Sequence, residues 1–284
     1  MKHEIADLYE EYTSGRMTRR TFLDRLALVA GGSAAALSLL PALQGQTPQG
    51  PIVAEDDKRL ATSRIEYDGG DTKIAAYLAR LKAPARRPAV IVIHENRGLT
   101  PHIQDVARRV AVEGFLALAP DMLTPVGGTP ADQEQAPKLF SSLKPEETVA
   151  RLAAAVKFLA AHPDSTGKVG VVGFCWGGGM VNSLAAAGTA LKAGVSYYGR
   201  VLPAADVPKV NAALLLQYAS LDERINAGIP EFEAALKANN KIYEKHMYEG
   251  ANHAFNNDTS PRYHKEAADL AWSRTIAFFK KYLA

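Results

Sequence analysis

The sequence contains a single cysteine, and a glycine stands two residues to either side of it. Cys175 is the centre of Gly173-Phe174-Cys175-Trp176-Gly177, between an apolar run and a stretch of helical character. A Gly-x-nucleophile-x-Gly pattern at a strand-to-helix turn is typical of a nucleophile elbow, whose strained central residue tolerates only small neighbours. The positive end of the helix favours a thiolate there. The pattern predicts a nucleophilic cysteine; a glycine-rich turn with an incidental buried thiol is the alternative.

An acid and a histidine follow the cysteine in the chain order nucleophile, acid, histidine that one class of hydrolase uses. Asp222 comes just after the apolar run 213–218, and His253 comes just after the run 243–248. In such positions an imidazole can take the thiol proton, while the carboxylate orients the ring and stabilises the imidazolium. Each residue alone could be an ordinary turn acid or loop histidine. Their shared order and position predict a catalytic triad of Cys175, His253 and Asp222.

A second polar segment, residues 94–98, follows the buried run 89–93. At such a strand end a backbone N–H can point at a developing oxyanion, and the amide of Asn96 is the candidate donor. The amide of Trp176, the residue after the proposed nucleophile, is the second candidate. The segment therefore predicts an oxyanion hole built from two backbone amides.

Glu95 belongs to the same segment and is expected near Cys175, because the two preceding strands neighbour each other in sheets of this kind. A carboxylate near a thiol is a candidate participant in the activation of that thiol. The alternative interpretation is a structural ion pair of Glu95 with Arg97 or Arg200.

From residue 60 onward, apolar runs with strand character alternate with amphipathic helical stretches. Such alternation predicts an α/β fold, with a mostly parallel central sheet flanked by helices. Residues at the carboxyl ends of the strands would then form the functional site. The predicted strands are residues 63–67, 74–81, 89–94, 115–119, 169–174, 194–198, 213–218 and 243–248. The predicted helices are residues 102–113, 146–161, 176–187, 230–238 and 263–282.

Composition narrows the possible classes of function. The 284 residues carry 33 basic and 30 acidic side chains, a net charge of +3 without a long basic run, so a nucleic-acid partner is not expected. One cysteine cannot form an intramolecular disulfide. The metal-ligand spacings Cys-x-x-Cys and His-Glu-x-x-His and the nucleotide-binding pattern Gly-x-Gly-x-x-Gly do not occur, so we expect neither a metal nor an organic cofactor.

The first 50 residues differ from the remainder of the chain. The paired arginines in Thr18-Arg19-Arg20-Thr21-Phe22-Leu23 precede an apolar stretch at residues 26–43. This arrangement resembles a twin-arginine export signal, and it predicts a periplasmic protein that meets the membrane only during export. A surface helix retained in a cytoplasmic protein is the alternative. Residues 1–50 are therefore interpreted as signal segment and linker, and residues 51–284 as the catalytic domain.

Several separated blocks resemble the dienelactone hydrolase (carboxymethylenebutenolidase) family. The resemblance extends over about residues 60–284 and implies an α/β-hydrolase fold with a Cys-His-Asp triad. It makes Glu95 the family glutamate that interacts with the resting thiol. The matching blocks are His94-Glu95-Asn96-Arg97-Gly98, Ala117-Leu118-Ala119-Pro120-Asp121, Gly173-Phe174-Cys175-Trp176-Gly177-Gly178, Tyr197-Tyr198-Gly199 and Gly250-Ala251-Asn252-His253-Ala254-Phe255.

One departure from the family concerns the substrate. The lactone-cleaving members bind a substrate carboxylate with arginines, one of them a few residues after the catalytic histidine. Here that position reads Ala254-Phe255-Asn256-Asn257. We therefore expect a small ester or lactone as substrate, without assigning the family's best-known lactone.

Three residues are candidates for contacting that substrate: Arg97, Tyr198 and Arg200. Arg262 is a further possible replacement for the family's arginines. Two other functions remain open for the same fold, namely a binding protein without turnover and an acyl-transfer protein.

Overall fold

The computed structural model describes residues 2–13, 16–43 and 50–284. Eight strands form one sheet in the order β1-β2-β4-β3-β5-β6-β7-β8. The strands are β1 (Leu60–Asp68), β2 (Lys73–Leu81), β3 (Arg87–Ile93), β4 (Leu116–Pro120), β5 (Ser165–Phe174), β6 (Ala193–Tyr197), β7 (Ala213–Ala219) and β8 (Tyr243–Tyr248). The first two strands and the β2–β4 pair are antiparallel, and all other pairs are parallel. The predicted α/β-hydrolase architecture is confirmed.

Helices between and after the parallel strands cover both faces of the sheet, and others precede the sheet in the chain. They are α1 (Lys2–Thr13), α2 (Arg19–Ala30), α3 (Ser33–Leu43), α4 (Pro101–Val112), α5 (Ala136–Phe140), α6 (Pro145–Ala161), α7 (Trp176–Ala185), α8 (Glu223–Asn226), α9 (Ile229–Ala238) and α10 (Lys265–Tyr282). Two short 3-10 helices occupy Thr124–Val126 and Ala204–Lys209. The sequence patterns did not predict α5, α8 or the 3-10 helices, because each is too short to show a helical period.

The central strands are apolar because both of their faces are buried. In β3, Val90 and Val92 belong to one hydrophobic cluster, while Ile91 and Ile93 belong to the other. All four side chains have no solvent exposure. Helices α4 and α10 contribute to the first cluster, and α6, α7 and α9 contribute to the second. A continuous apolar run, in place of strict alternation, is what such a strand requires.

Parallel pairing of β3 with β5 determines where the functional residues lie. Ile93, the last residue of β3, pairs with Gly173, two residues before the cysteine. The segment after β3 therefore emerges beside the turn after β5, and the expected adjacency of these two strands is confirmed.

A group of buried charges joins α4 to the loop that follows β8. The backbone N–H groups of Ile52 and Val53 donate to the carboxylate of Asp105 at 3.1 and 2.8 Å. Arg109 donates to the same carboxylate at 2.9 Å and to Asp258 at 2.5 Å. Residues 52–53, α4 and the loop beyond His253 are therefore held together by the hydrogen bonds and ion pairs of Asp105 and Arg109.

The N-terminal helices have a small apolar cluster of their own. Phe22, Leu26 and Ala36 are buried in it, separately from the two clusters of the sheet. Tyr12 in α1 hydrogen-bonds Glu134, so this segment also contacts the loop before α5. Within the described ranges no helix is long and apolar enough to cross a membrane. Residues 44–49, which belong to the predicted signal segment and linker, lie outside the described part of the chain.

Candidate active site

Cys175 lies in the sharp turn between the end of β5 and the start of α7. Its backbone has φ 55° and ψ −115°, a conformation that L-residues rarely adopt. A Cβ atom added to Gly173 would lie 2.2 Å from the carbonyl oxygen of Gly177, and one added to Gly177 would lie 2.5 Å from that of His94. The glycines at these positions are therefore required by close backbone contacts, as expected for a nucleophile elbow.

The structure brings His253 and Asp222 together beside this turn. His253 follows β8, Asp222 follows β7, and their Nδ1 and Oδ2 atoms are 2.5 Å apart. Each residue is 5% exposed. Cys175 lies close enough to His253 to raise the pKa of the imidazole. The imidazole thus contacts the acid on one side and the thiol on the other, which is the arrangement that general-base activation of a nucleophile requires.

Asp222 has a second structural role. It caps the N-terminus of α8, where its carboxylate accepts a hydrogen bond from the N–H of Ile225 at 3.4 Å. The alternative interpretation of Asp222 as a helix cap and its interpretation as the orienting acid are therefore compatible.

The electrostatic environment favours a protonated His253. Burial lowers the pKa of the imidazole, but the negative charge of Cys175 and the hydrogen bonds with Asp222 and Cys175 outweigh it and raise the pKa to about 10. The surroundings of the ring therefore favour its protonated form beside the sulfur.

Glu95 is held by two uncharged donors. The Tyr198 hydroxyl donates to Oε1 at 3.4 Å, and the Asn257 amide donates to Oε2 at 2.6 Å. Burial raises the pKa of Tyr198, and the negative charges of Glu95 and Cys175 raise it further. The Tyr198 hydroxyl therefore lies near both residues. The hydrogen-bond partners of the Glu95 carboxylate are therefore Tyr198 and Asn257.

The two candidate oxyanion donors belong to neighbouring segments of the backbone. Trp176 is the first residue of α7, so its N–H has no carbonyl partner within the helix. Asn96 follows β3, whose end lies against Gly177. The indole of Trp176 stacks on the imidazole of His94, with ring centres 5.4 Å apart and an angle of 12°.

The three candidate arginines differ in position. Arg97 is half-buried and donates to the Gln133 carbonyl at 2.7 Å, and Arg262 donates to the His253 carbonyl at 3.4 Å. Burial raises the pKa of Tyr9 in α1, and the charges of Arg97 and Arg262 oppose that rise, so both arginines lie near its hydroxyl. Arg200 is exposed. Arg97 and Arg262 therefore lie on one side of the site.

Two neighbours of the site escaped the sequence analysis. Asn257 lies in the segment where lactone-cleaving members of the family carry an arginine, and nothing in the sequence indicates that its amide bonds Glu95. Phe140 in α5 packs edge-on against Trp176 at 4.8 Å between ring centres and against His94 at 5.6 Å. Both contacts join segments far apart in the chain, so local patterns carry no signal for them.

Comparison with known proteins agrees with this geometry. Residues 74–283 match the dienelactone hydrolase family. The chain belongs to that family. A relative from Escherichia coli, named "Putative carboxymethylenebutenolidase", is 33% identical over 267 residues, which cover 88% of this chain and 95% of the relative. A Saccharolobus solfataricus relative of the same name is 32% identical over 255 residues, which cover 76% of this chain and 97% of the relative. The predicted family resemblance is confirmed.

Solved structures give the same result. A Klebsiella pneumoniae structure, described as a "Putative Dienelactone Hydrolase", has a TM-score of 0.73 and 31% identity, covering 78% of this chain and 99% of its own. The acylaminoacyl peptidase of Pyrococcus horikoshii has a TM-score of 0.62 but only 16% identity, covering 81% of this chain and 43% of its own, and shares the fold alone. The dienelactone hydrolase family places this chain among carboxylic ester and lactone hydrolases.

The raised pKa of His253 can be measured. Because the charge and hydrogen bond of Cys175 contribute to it, Cys175→Ala should lower the His253 pKa clearly below about 10. NMR titration of the imidazole carbons would follow both proteins. His246, which burial gives a lowered pKa, serves as an internal reference and should titrate identically in both. A wild-type His253 that loses its proton near 6.5, the ordinary histidine value, would contradict the raised pKa.

Proposed function

We propose that the chain hydrolyses a small ester or lactone by forming an acyl-thioester on Cys175. The observation that supports this most directly is the position of His253 between Asp222 and Cys175, with Cys175 in the strained turn. A neutral thiol is a poor nucleophile, and a neighbouring imidazolium stabilises the thiolate that attacks. The buried Asp222 carboxylate fixes the ring and compensates its charge.

The first half of the proposed reaction forms the acyl-enzyme. The thiolate of Cys175 attacks the acyl carbon, and the electron pair of the C=O bond moves onto oxygen. The amides of Asn96 and Trp176 donate to this oxyanion. When the C=O bond re-forms, the ester C–O bond breaks, and the departing alkoxide takes the proton of His253. With a lactone the new hydroxyl stays on the acyl group.

The second half regenerates the enzyme. Neutral His253 takes a proton from a water molecule, whose oxygen attacks the thioester carbon. Collapse of the second oxyanion breaks the C–S bond and releases a carboxylic acid. The products are the acid and the alcohol, and Cys175 and His253 return as thiolate and imidazolium. Glu95 is proposed to interact with the thiol in the resting enzyme. Substrate binding would free the thiol from Glu95, and His253 would receive its proton.

Replacement of Cys175 tests this proposal. Because the thiolate forms the covalent bond, Cys175→Ala should abolish hydrolysis of p-nitrophenyl acetate and butyrate. Cys175→Ser should lose at least about 100-fold in kcat, because a serine hydroxyl is far less acidic than a thiol. Ser183→Ala, a change farther along α7, provides the control. Mass spectrometry of the quenched wild type should detect one acyl group on Cys175.

Two outcomes would contradict the proposal. Full activity of the alanine variant would exclude the cysteine mechanism. An unreactive wild type that binds esters without turnover would favour the binding protein. Adding an alcohol acceptor distinguishes hydrolysis from acyl transfer, since an acyl-transfer protein would yield a new ester in preference to the acid.

We further propose that Arg97 and Tyr198 contact the acyl side of the substrate, with Arg262 nearby. Arg97 directly follows the oxyanion segment, and Arg262 bonds the carbonyl of His253. Tyr198 is buried against the ring of His253, 5.0 Å between ring centres. Arg200 is the weaker candidate, because it is exposed.

A pair of esters tests the arginines. If Arg97 binds substrate charge, Arg97→Met should raise KM about tenfold or more for an ester whose acyl part carries a carboxylate, as expected for a lost charged hydrogen bond. The neutral isostere has no charge for Arg97 to bind, so its KM should stay within about twofold of the wild-type value. A twofold change corresponds to less than ~0.5 kcal/mol of binding free energy. Arg200→Met is the matched control and should change neither value. An equal effect on both esters, or an effect of Arg200→Met alone, would contradict the assignment.

We also propose that residues 1–50 direct the folded enzyme to the periplasm. Both arginines of the motif, Arg19 and Arg20, are exposed, so an export receptor could bind them while the catalytic domain is folded. The separate apolar cluster of the N-terminal helices supports the same division of the chain.

Cell fractionation tests export. In a bacterium with the twin-arginine pathway the wild type should reach the periplasm, whereas Arg19→Lys with Arg20→Lys should remain in the cytoplasm. Arg25→Lys, a nearby conservative change outside the pair, is the control. Equal distribution of wild type and double variant would show that this motif does not direct export.

A further inference from the structure

His94 is a fully buried histidine that the proposed reaction does not use. It directly follows β3, and its side chain has no solvent exposure. Burial lowers the pKa of this imidazole, so the neutral ring is favoured. A buried ring of this kind, immediately before the oxyanion segment, requires an explanation.

The hydrogen bonds of His94 assign its tautomer. The backbone N–H of Met122 lies 3.1 Å from Nε2, and because an N–H can only donate, Nε2 must be the acceptor. The proton of the neutral ring is then on Nδ1. Nδ1 lies 2.7 Å from the carbonyl oxygen of Glu95, and it donates to that oxygen.

This second bond orients the next backbone amide. The carbonyl of Glu95 and the N–H of Asn96 belong to one planar peptide unit, and in a trans peptide they point in opposite directions. The structure contains no cis peptide bond among its described residues. Holding the Glu95 oxygen against the His94 ring therefore directs the Asn96 N–H away from that ring.

The same ring also contacts the side chain of the residue that carries the second proposed donor. The indole of Trp176 stacks on His94, and Phe140 packs edge-on against both rings. His94 therefore contacts the peptide unit that carries one proposed donor and the side chain of the residue that carries the other.

We propose that His94 is a positioning residue that aims the Asn96 amide into the oxyanion hole. This inference rests on the proposed function. Loss of one oxyanion donor in hydrolases lowers kcat by roughly 100- to 1,000-fold, and a donor that is misaimed but present should cost about 10- to 100-fold.

Two substitutions separate the two hydrogen bonds of the ring. His94→Asn retains an N–H at the position of Nδ1 and can still donate to Glu95, but it loses the acceptor for Met122. His94→Gln retains an acceptor for the Met122 amide but lacks the donor at the Nδ1 position. If the hydrogen bond to Glu95 aims the amide, His94→Asn should keep much more of the wild-type kcat than His94→Gln. This order of kcat values should hold whichever variant is more resistant to unfolding by urea.

Alkylation of Cys175 distinguishes the oxyanion hole from the nucleophile. Iodoacetamide reacts with the thiolate by displacement at carbon and forms no oxyanion. Its rate constant should therefore stay within about twofold of wild type in His94→Gln, while kcat for p-nitrophenyl acetate falls about 10- to 100-fold with little change in KM. His94→Phe, which keeps an aromatic ring but no donor, should behave like His94→Gln.

Three results would overturn the inference: wild-type kcat in both donor-free variants, a lower kcat in His94→Asn than in His94→Gln, or a parallel loss of alkylation. The first would show that the bond is unnecessary, the second that the Met122 bond matters more, and the third that His94 acts on the thiol. Failure of the cysteine mechanism itself would appear separately, as hydrolysis that survives Cys175→Ala.

Discussion

The close approach of Gly177 to the end of β3 is the contact on which the rest of the site depends. A side chain at this position would place its Cβ 2.5 and 2.6 Å from the carbonyl oxygens of His94 and Ile93. Only without it can α7 begin so near the neighbouring strand. That proximity places the Trp176 amide at the same edge of the sheet as the Asn96 amide, with Cys175 in the turn beside them. The strained backbone of Cys175 is the local cost of this turn, and the burial of β3 and β5 on both faces stabilises it.

The fold, and the meeting of Asp222 with His253 beside the turn of Cys175, could be predicted because their signals are local. A strand buried on both faces is apolar throughout, and a sharp turn requires glycine, so β3, β5 and the cysteine turn are visible in the sequence. Parallel strands then bring their carboxyl ends to one edge, which makes the positions of Asp222 and His253 informative although they are far from Cys175 in the chain. The sequence predicts the ends of the helices and strands less closely. Helix α10 begins two residues later than predicted, at Lys265, since His264 caps it through the N–H of Ala267.

The remaining features depend on side chains that meet across the fold. The partners of Glu95 come from two separate loops, and neither Tyr198 nor Asn257 belongs to a pattern that would reveal the contact. Asn257 is uncharged and replaces an arginine of the family's pattern, yet its bond to Glu95 is shorter than that of Tyr198. The tautomer of His94 is set by the amide of Met122, 28 residues away. Contacts of this kind follow from packing, and only the assembled structure reveals them.

The single cysteine also determines how such an enzyme would be inactivated. Thiolates are oxidised by peroxides to sulfenic acid, and further oxidation to sulfinic acid is generally irreversible. In many proteins a second cysteine intercepts the sulfenic acid as a disulfide, but the 284 residues contain no second thiol. Protection of an oxidised Cys175 would therefore depend on a small external thiol. A thiolate that served the proposed ester hydrolysis would thus also be exposed to chemical damage.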